Sequence, residues 1–260
     1  MTAAAPAAAA PAGPKPVKLT HPAADHMGST IPAHEKTQHI TLAQARKAPS
    51  LAATVPGMDV SGYQGNVNWS AAYGNGGRFA YVKATESTSY TNPYFTQQYN
   101  GSYNVGMIRG AYHFAVPSNS GGATQADYFV AHGGGWSRDG KTLPPMLDIE
   151  YNPYGATCYG LSQASMVSWI KAFSDEVHAK TSRWVTIYTT NDWWTTCTGN
   201  KGDFSSTNPL FVARYASSAG TLPYHWGFYT FWQFADSGTF PGDQDVFNGA
   251  YDRLQALANG

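Results

Sequence analysis

Pro144-Pro145-Met146-Leu147-Asp148-Ile149-Glu150 reads as a buried strand that ends in two carboxylates. Side chains alternate along a strand, so Asp148 and Glu150 point to the same side, with Cα atoms roughly 6.6 Å apart. Two acids on one face do not ionise equally. Mutual repulsion and partial burial raise the pKa of one and leave the other charged. That difference is what general acid catalysis on a glycosidic bond needs. An isolated Asp-x-Glu has a blander reading, an acidic strand end that binds a loop or a metal. The rest of the chain decides between them.

Outside that stretch, strands and helices alternate. Gly57 to Val60, Arg78 to Thr85, Met107 to Ala115, Pro145 to Glu150, Trp184 to Thr189 and Leu210 to Tyr215 read as six strands, and Phe228 to Phe234 as a late one. Helical patterns cover Tyr94 to Tyr103, Ala123 to Ala131 and Ser162 to Lys180. In the last of these Met166, Ile170, Phe173 and Val177 form an amphipathic stripe, with Ser162 as N-cap. Such alternation argues for a parallel sheet. No G-x-G-x-x-G follows the first strand, so a dinucleotide fold loses its best signature. After Thr181 the helical signal fades. The expectation is one α/β domain over residues 55–260, a modified TIM-like barrel with several helices missing; a barrel of about 200–250 residues fits the length.

The 260 residues carry 16 Lys plus Arg and 16 Asp plus Glu, so the formal net charge is zero. Nothing there suggests nucleic acid or an anionic membrane as partner, and no window approaches the ~20 apolar residues of a membrane span. Charged residues are only 12%, while eight Trp and 17 Tyr exceed what a core requires; aromatic faces that stack on sugars are one use for the excess. Cys158 and Cys197 lack any metal-ligand spacing. A single disulfide, which implies an oxidising compartment, stands against two buried free thiols. The start, MTAAAPAAAAPAGP, has no basic n-region and no Leu-rich core and is not an intact signal peptide. Residues 1–16 are Ala/Pro low complexity, and residues 17–54 are polar, with one or two helical turns between Thr41 and Lys47. This 1–54 extension is read either as a solvated arm or linker, or as a pro-segment lying on the domain. Monomer is the default.

Polar residues fall at strand ends with a regularity that loop composition does not explain. Asp59 ends the first strand, Glu86 follows the second, Tyr112 and His113 lie late in the third, and Asp148 and Glu150 end the fourth. Tyr188 lies late in the fifth, and Arg214 and Tyr215 end the sixth. In a barrel these ends meet at one rim, where catalytic residues collect.

Asp59-Val60, Gln64-Gly65, Gly76, Tyr81-Val82-Lys83-Ala84-Thr85-Glu86-Ser87, Tyr90 and Asn92 together resemble the active-site signature of glycoside hydrolase family 25 lysozymes, of the secreted actinomycete and Chalaropsis type. The similarity continues through Arg109-Gly110-Ala111-Tyr112-His113-Phe114, Leu147-Asp148-Ile149-Glu150, Tyr188-Thr189-Thr190 and Phe231-Trp232-Gln233, and covers about residues 56–258. It implies a flattened barrel of eight strands and about five helices that hydrolyses the β-1,4 bond between N-acetylmuramic acid and N-acetylglucosamine in peptidoglycan. It implies Glu150 as general acid. Asp148 is then the ionised partner, as nucleophile, charge stabiliser or orienter of the substrate's 2-acetamido group.

Asp59 and Glu86 share the acidic cleft under this resemblance, with a late Asp matched to Asp245, next to which Asp243 competes. The expected substrate contacts are Tyr63, Tyr112, His113, Tyr188, Arg214, Tyr215, Trp232, Gln233 and Asp245. No cofactor and no metal is expected; His113 is read as a packing or hydrogen-bonding histidine rather than a ligand. Both cysteines fit the single disulfide of these relatives, and a secreted protein is implied. Two other readings compete: a chitinase-like glycosidase with the same Asp-x-Glu strand, and a barrel that binds cell-wall glycan without cleaving it.

Overall fold

The computed structural model describes residues 14–48 and 53–260; most of the Ala/Pro-rich start lies outside them. The strands are β1 (Thr54–Val60), β2 (Phe79–Glu86), the two-residue β3 (Tyr90–Thr91), β4 (Ile108–Phe114), β5 (Met146–Asp148), β6 (Thr186–Thr189), β7 (Leu210–Ala213), β8 (Phe231–Ala235) and β9 (Asp243–Asn248). Their order is β1-β9-β8-β7-β6-β5-β4-β2, and β1 pairs with β2 to close a ring of eight. β3 hangs on the end of β2, outside the ring. Seven ring strands run parallel, as their alternation with helices predicts. β9 runs antiparallel to both neighbours. Its first residue, Asp243, therefore stands at the rim where the other strands end, opposite Asp59.

Aromatic side chains fill the barrel below that rim. Phe231 packs against Phe211, Phe247, Phe79 and Tyr81 with ring centroids 5.1 to 5.7 Å apart. Gly57 makes room for them, because a Cβ there would stand 2.4 Å from the Phe79 ring. The outer layer holds α3 (Trp69–Gly74), α4 (Phe95–Asn104), α5 (Gly122–Ala131), α6 (Gln163–Thr181), α7 (Asn191–Thr198) and α8 (Tyr251–Asn259). The α6 stripe is as read: Met166, Ile170, Phe173 and Val177 are buried, and the Ser162 side chain accepts from Ser165 N. Each such burial stabilises by about 1.5–3 kcal/mol.

Two helices follow Thr181, where the sequence signal fades. α7 is short and Thr-rich, with low helix propensity. It forms because the Thr190 side chain caps it and Trp193, Trp194 and Cys197 are buried beneath it. α8 buries only Leu254 and Ala258, too thin a stripe to read. The missing helices are those between β7 and β8 and between β8 and β9.

Upstream of the barrel, the polar residues 14–48 are not a solvated arm. They lie on the barrel mouth with two single-turn helices, α1 (Ile31–His34) and α2 (Leu42–Ala45), the latter closed by a Thr41/Gln44 capping box. Met27, Ile31, Ile40 and Ala45 are buried.

Cys158 and Cys197 are bonded, 39 residues apart. The bond ties the loop after β5 to α7. Replacing both cysteines by serine should cost about 3–4 kcal/mol of stability on chain-entropy grounds. Thermal unfolding with and without reductant reads this; an unchanged midpoint on full reduction would contradict it.

Candidate active site

β5 is only three residues long, so Glu150 stands two residues beyond the ladder, on the loop that leaves the rim. Asp148 and Glu150 are both buried, as are Asp59, Glu86 and Asp243 from neighbouring strands. The parallel ring brings these five acids to one mouth. Neither carboxylate oxygen of Asp148 has a hydrogen-bond partner among the described residues, and Asp59 Oδ1 has none either.

Gln233 links the far side of the mouth. Its Nε2 donates to Asp59 Oδ2 at 2.8 Å and Asp243 Oδ2 at 3.0 Å. Its Oε1 accepts from Tyr188 Oη at 2.7 Å and Tyr215 Oη at 3.1 Å. Lys83 is the cation of the near side. It is fully buried and donates to Glu86 Oε2 at 2.6 Å. The Tyr154 hydroxyl is shared between Glu86 and Asp25.

Burial dominates the titration of the acids. It pushes Glu150 up to about 8, against hydrogen bonds from Gly28 and Thr30 that favour the charged form. It pushes Asp59 up to about 7, against the Gln233 bond. Asp148 is held well above the ordinary carboxylate range, by burial first and by Glu150 second. Only the Lys83 charge acts in the opposite direction, and no hydrogen-bond donor reaches either Asp148 oxygen among the described residues. Asp243 and Asp245 are raised in the same way.

Several expected contacts are placed elsewhere, and strand parity is the reason. His113 follows the inward Tyr112 and so faces outward. It is buried between Phe129 and Phe173, bonded to Thr85 and Gln125, and pushed down to about 3 by burial. Trp232 precedes the inward Gln233; it packs on Tyr229 and Phe234 and donates to the Arg214 carbonyl. Arg214 is turned away to the carbonyl of Ser218. Asp245 pairs opposite Gly57, two residues below the rim, while Asp243 pairs opposite Asp59. Asp243 is thus the late acid of the mouth. Tyr63 is 68% exposed and stacks on His26. Tyr112, Tyr188 and Tyr215, expected as substrate contacts, are buried, the last two with their hydroxyls on Gln233.

Sequence reasoning missed Lys83, whose buried position beside Glu86 is not advertised by an otherwise apolar strand. It also missed Tyr151 and Tyr154, on the loop after Glu150. Tyr151 donates to Glu35 at 2.7 Å and Asp192 at 2.8 Å.

The sequence and the barrel match those of known proteins. The family model for glycosyl hydrolases family 25 matches residues 58–243. An N,O-diacetylmuramidase from Chalaropsis sp. is 54% identical over 80% of this chain and its own full length. Lysozyme M1 from Streptomyces globisporus is 46% identical over the whole of this chain and 90% of its own. The solved structure of a muramidase from Acremonium alcalophilum, 59% identical, superposes with a TM-score of 0.78 over 79% of this chain and 99% of that one. The chain belongs to glycosyl hydrolase family 25.

Proposed function

We propose that the chain is a muramidase that hydrolyses the β-1,4 bond between N-acetylmuramic acid and N-acetylglucosamine in bacterial peptidoglycan. The observation that carries this reading is the ring of acids, Asp59, Glu86, Asp148, Glu150 and Asp243, on a family 25 barrel. The printed names of the similar enzymes support the substrate. The disulfide supports action outside the cell, in an oxidising setting. The chain would act as a monomer without metal or cofactor.

Glu150 is the proton donor in this reading. In the covered cleft, burial first and neighbouring acids such as Asp59 push its carboxyl up; with the cleft open those acids remain beside it and favour its protonated form, from which it gives a proton to the glycosidic oxygen as the bond to the leaving sugar breaks. Positive charge then develops on the ring that stays behind. Asp148, ionised once glycan and water enter the cleft, faces that charge. It either attacks the anomeric carbon or orients the substrate's acetamido oxygen to do so. Both routes retain anomeric configuration; proton NMR of the first-formed product tests this, and an inverted product would exclude both.

Glu150→Gln keeps the shape of the side chain and removes the proton donor. With Gly28→Val in both chains, so that the Gly28 amide no longer caps residue 150, turnover of Gram-positive cell walls should fall about 10²–10⁴-fold, with the fold and glycan binding kept. Turbidity clearing at an undiminished rate would remove Glu150 from the role.

The same titration acts on stability. Glu150 shifts from 4.5 to about 8 and Asp59 from 3.8 to about 7, so the folded chain holds protons that the unfolded chain has lost. Stability must therefore fall as pH rises through that range. His26 and His113 are shifted down and act in the opposite sense below their ordinary value of 6.5. Above it only the acids count. The thermal midpoint should drop between pH 6.5 and pH 8, and less so in Glu150→Gln. A midpoint that rises over this interval would contradict the burial of the acids.

A further inference from the structure

Residues 17–48 occupy the cleft in which a glycan would have to lie. Gly28 N donates to Glu150 Oε1 at 2.7 Å, and Thr30 Oγ1 donates to Glu150 Oε2 at 3.3 Å. Both oxygens of the expected proton donor are thereby taken. Lys83 donates to the carbonyls of Pro22 at 2.9 Å and Asp25 at 2.6 Å. Gln233 donates to the Met27 carbonyl at 3.2 Å, and Tyr215 donates to the Gly28 carbonyl at 3.4 Å. These are the same side chains that line the mouth. Under the segment Glu150 and Asp59 are 1% exposed and Asp148 is fully covered.

The fit is specific rather than a drape. Gly28 has φ +77°, a conformation side chains resist, and a Cβ on it would stand 2.1 Å from Tyr215 Oη and 2.5 Å from Gln233 Oε1. Only glycine brings its amide onto Glu150 there. Met27 and Ile31 flank it, both fully buried. The ends are held as well: Val17 exchanges two hydrogen bonds with the Asn119 side chain, Gln38 N donates to the Tyr215 carbonyl, and His34 stacks on Tyr151 with centroids 4.1 Å apart. The Chalaropsis relative, matched over its full length, aligns with only 80% of this chain, whereas Lysozyme M1 aligns with all of it. The family model, which begins at residue 58, leaves the segment outside the matched barrel.

We propose that residues 17–48 are an autoinhibitory pro-segment that competes with glycan for the cleft, so that the full chain is latent until the segment leaves. The proposal rests on the muramidase reading of the site for the identity of what is excluded. Departure follows hydrolysis of a peptide bond near the C-terminal end of the segment, before β1. Arg46 and Lys47, both exposed, offer such a bond to a trypsin-type proteinase.

The test compares the full chain with two full-length variants that unseat the segment without touching the barrel, Gly28→Val and Ile31→Asp. Both should clear Gram-positive cell walls at least tenfold faster than the unaltered chain. A synthetic peptide of residues 17–48 should slow them again. Calorimetry with soluble disaccharide-peptide fragments of peptidoglycan should show binding to the variants and little to the unaltered chain. Equal clearing and equal binding by all three overturns the latency and leaves the muramidase reading intact. Binding by the variants alone, with clearing by none, keeps the latency and removes the hydrolase. Binding by none overturns both. Amide exchange on the unaltered chain guards against a misfolded variant: Gly28 should be protected, and an excess of the fragments should speed its exchange. An unprotected Gly28 amide overturns the proposal.

Discussion

Six carboxyl groups open onto one small volume at the barrel mouth, Asp25, Asp59, Glu86, Asp148, Glu150 and Asp243, and water is shut out of it. Like charges a few ångströms apart repel by about 4 kcal/mol per pair even at an effective dielectric constant of 20. Such a group cannot be fully ionised and dry. The charge is removed in three ways. Lys83 supplies one cation, the Gly28 amide and the Tyr154 hydroxyl supply donors, and retained protons account for the rest. Tight packing of the mouth and the retention of a proton on Glu150 are two results of the same constraint.

That constraint explains why an extension of ordinary polar composition binds so well. At the acids themselves it brings little apolar surface, essentially Met27 and Ile31. What it brings instead is backbone: an amide for Glu150, and carbonyls for Lys83, Gln233 and Tyr215. A segment that covered those cleft groups without pairing them would leave each in an unpaired burial costing about 1–3 kcal/mol. A glycan, rich in hydroxyl and acetamido groups, can satisfy the same partners, which is why the two exclude each other.

Much of this was legible in the chain. Strand–helix alternation and the polar residue at each strand end are periodic signals, and they placed Asp59, Glu86, Asp148 and Glu150 at one rim. What was misread follows from parity. His113 and Trp232 sit inside motifs whose neighbours, Tyr112 and Gln233, do enter the barrel, but a shift of one position turns a side chain to the opposite face. Motif membership carries proximity and not facing. Asp243 and Asp245 lie on one face of the last strand, and the reversal of that strand, which decides which of them reaches the rim, leaves no mark in the sequence. The extension was opaque for a different reason. Its contacts run through main-chain atoms, which every sequence possesses.

The reversed closing strand has a further consequence for how the molecule comes into being. β9 pairs with both β8 and β1, so the first strand stays unclosed on that side until residues 243–248 have been made. The segment is synthesised first of all the described parts, yet its partners Tyr215 and Gln233 lie 187 and 206 residues downstream of the atoms they hold. During synthesis it has nowhere to dock. Contacts of such separation are expensive in loop entropy and form late. Ring closure and capping of the acids both wait for the last third of the chain, and any delay between them leaves an acid-lined barrel open to water.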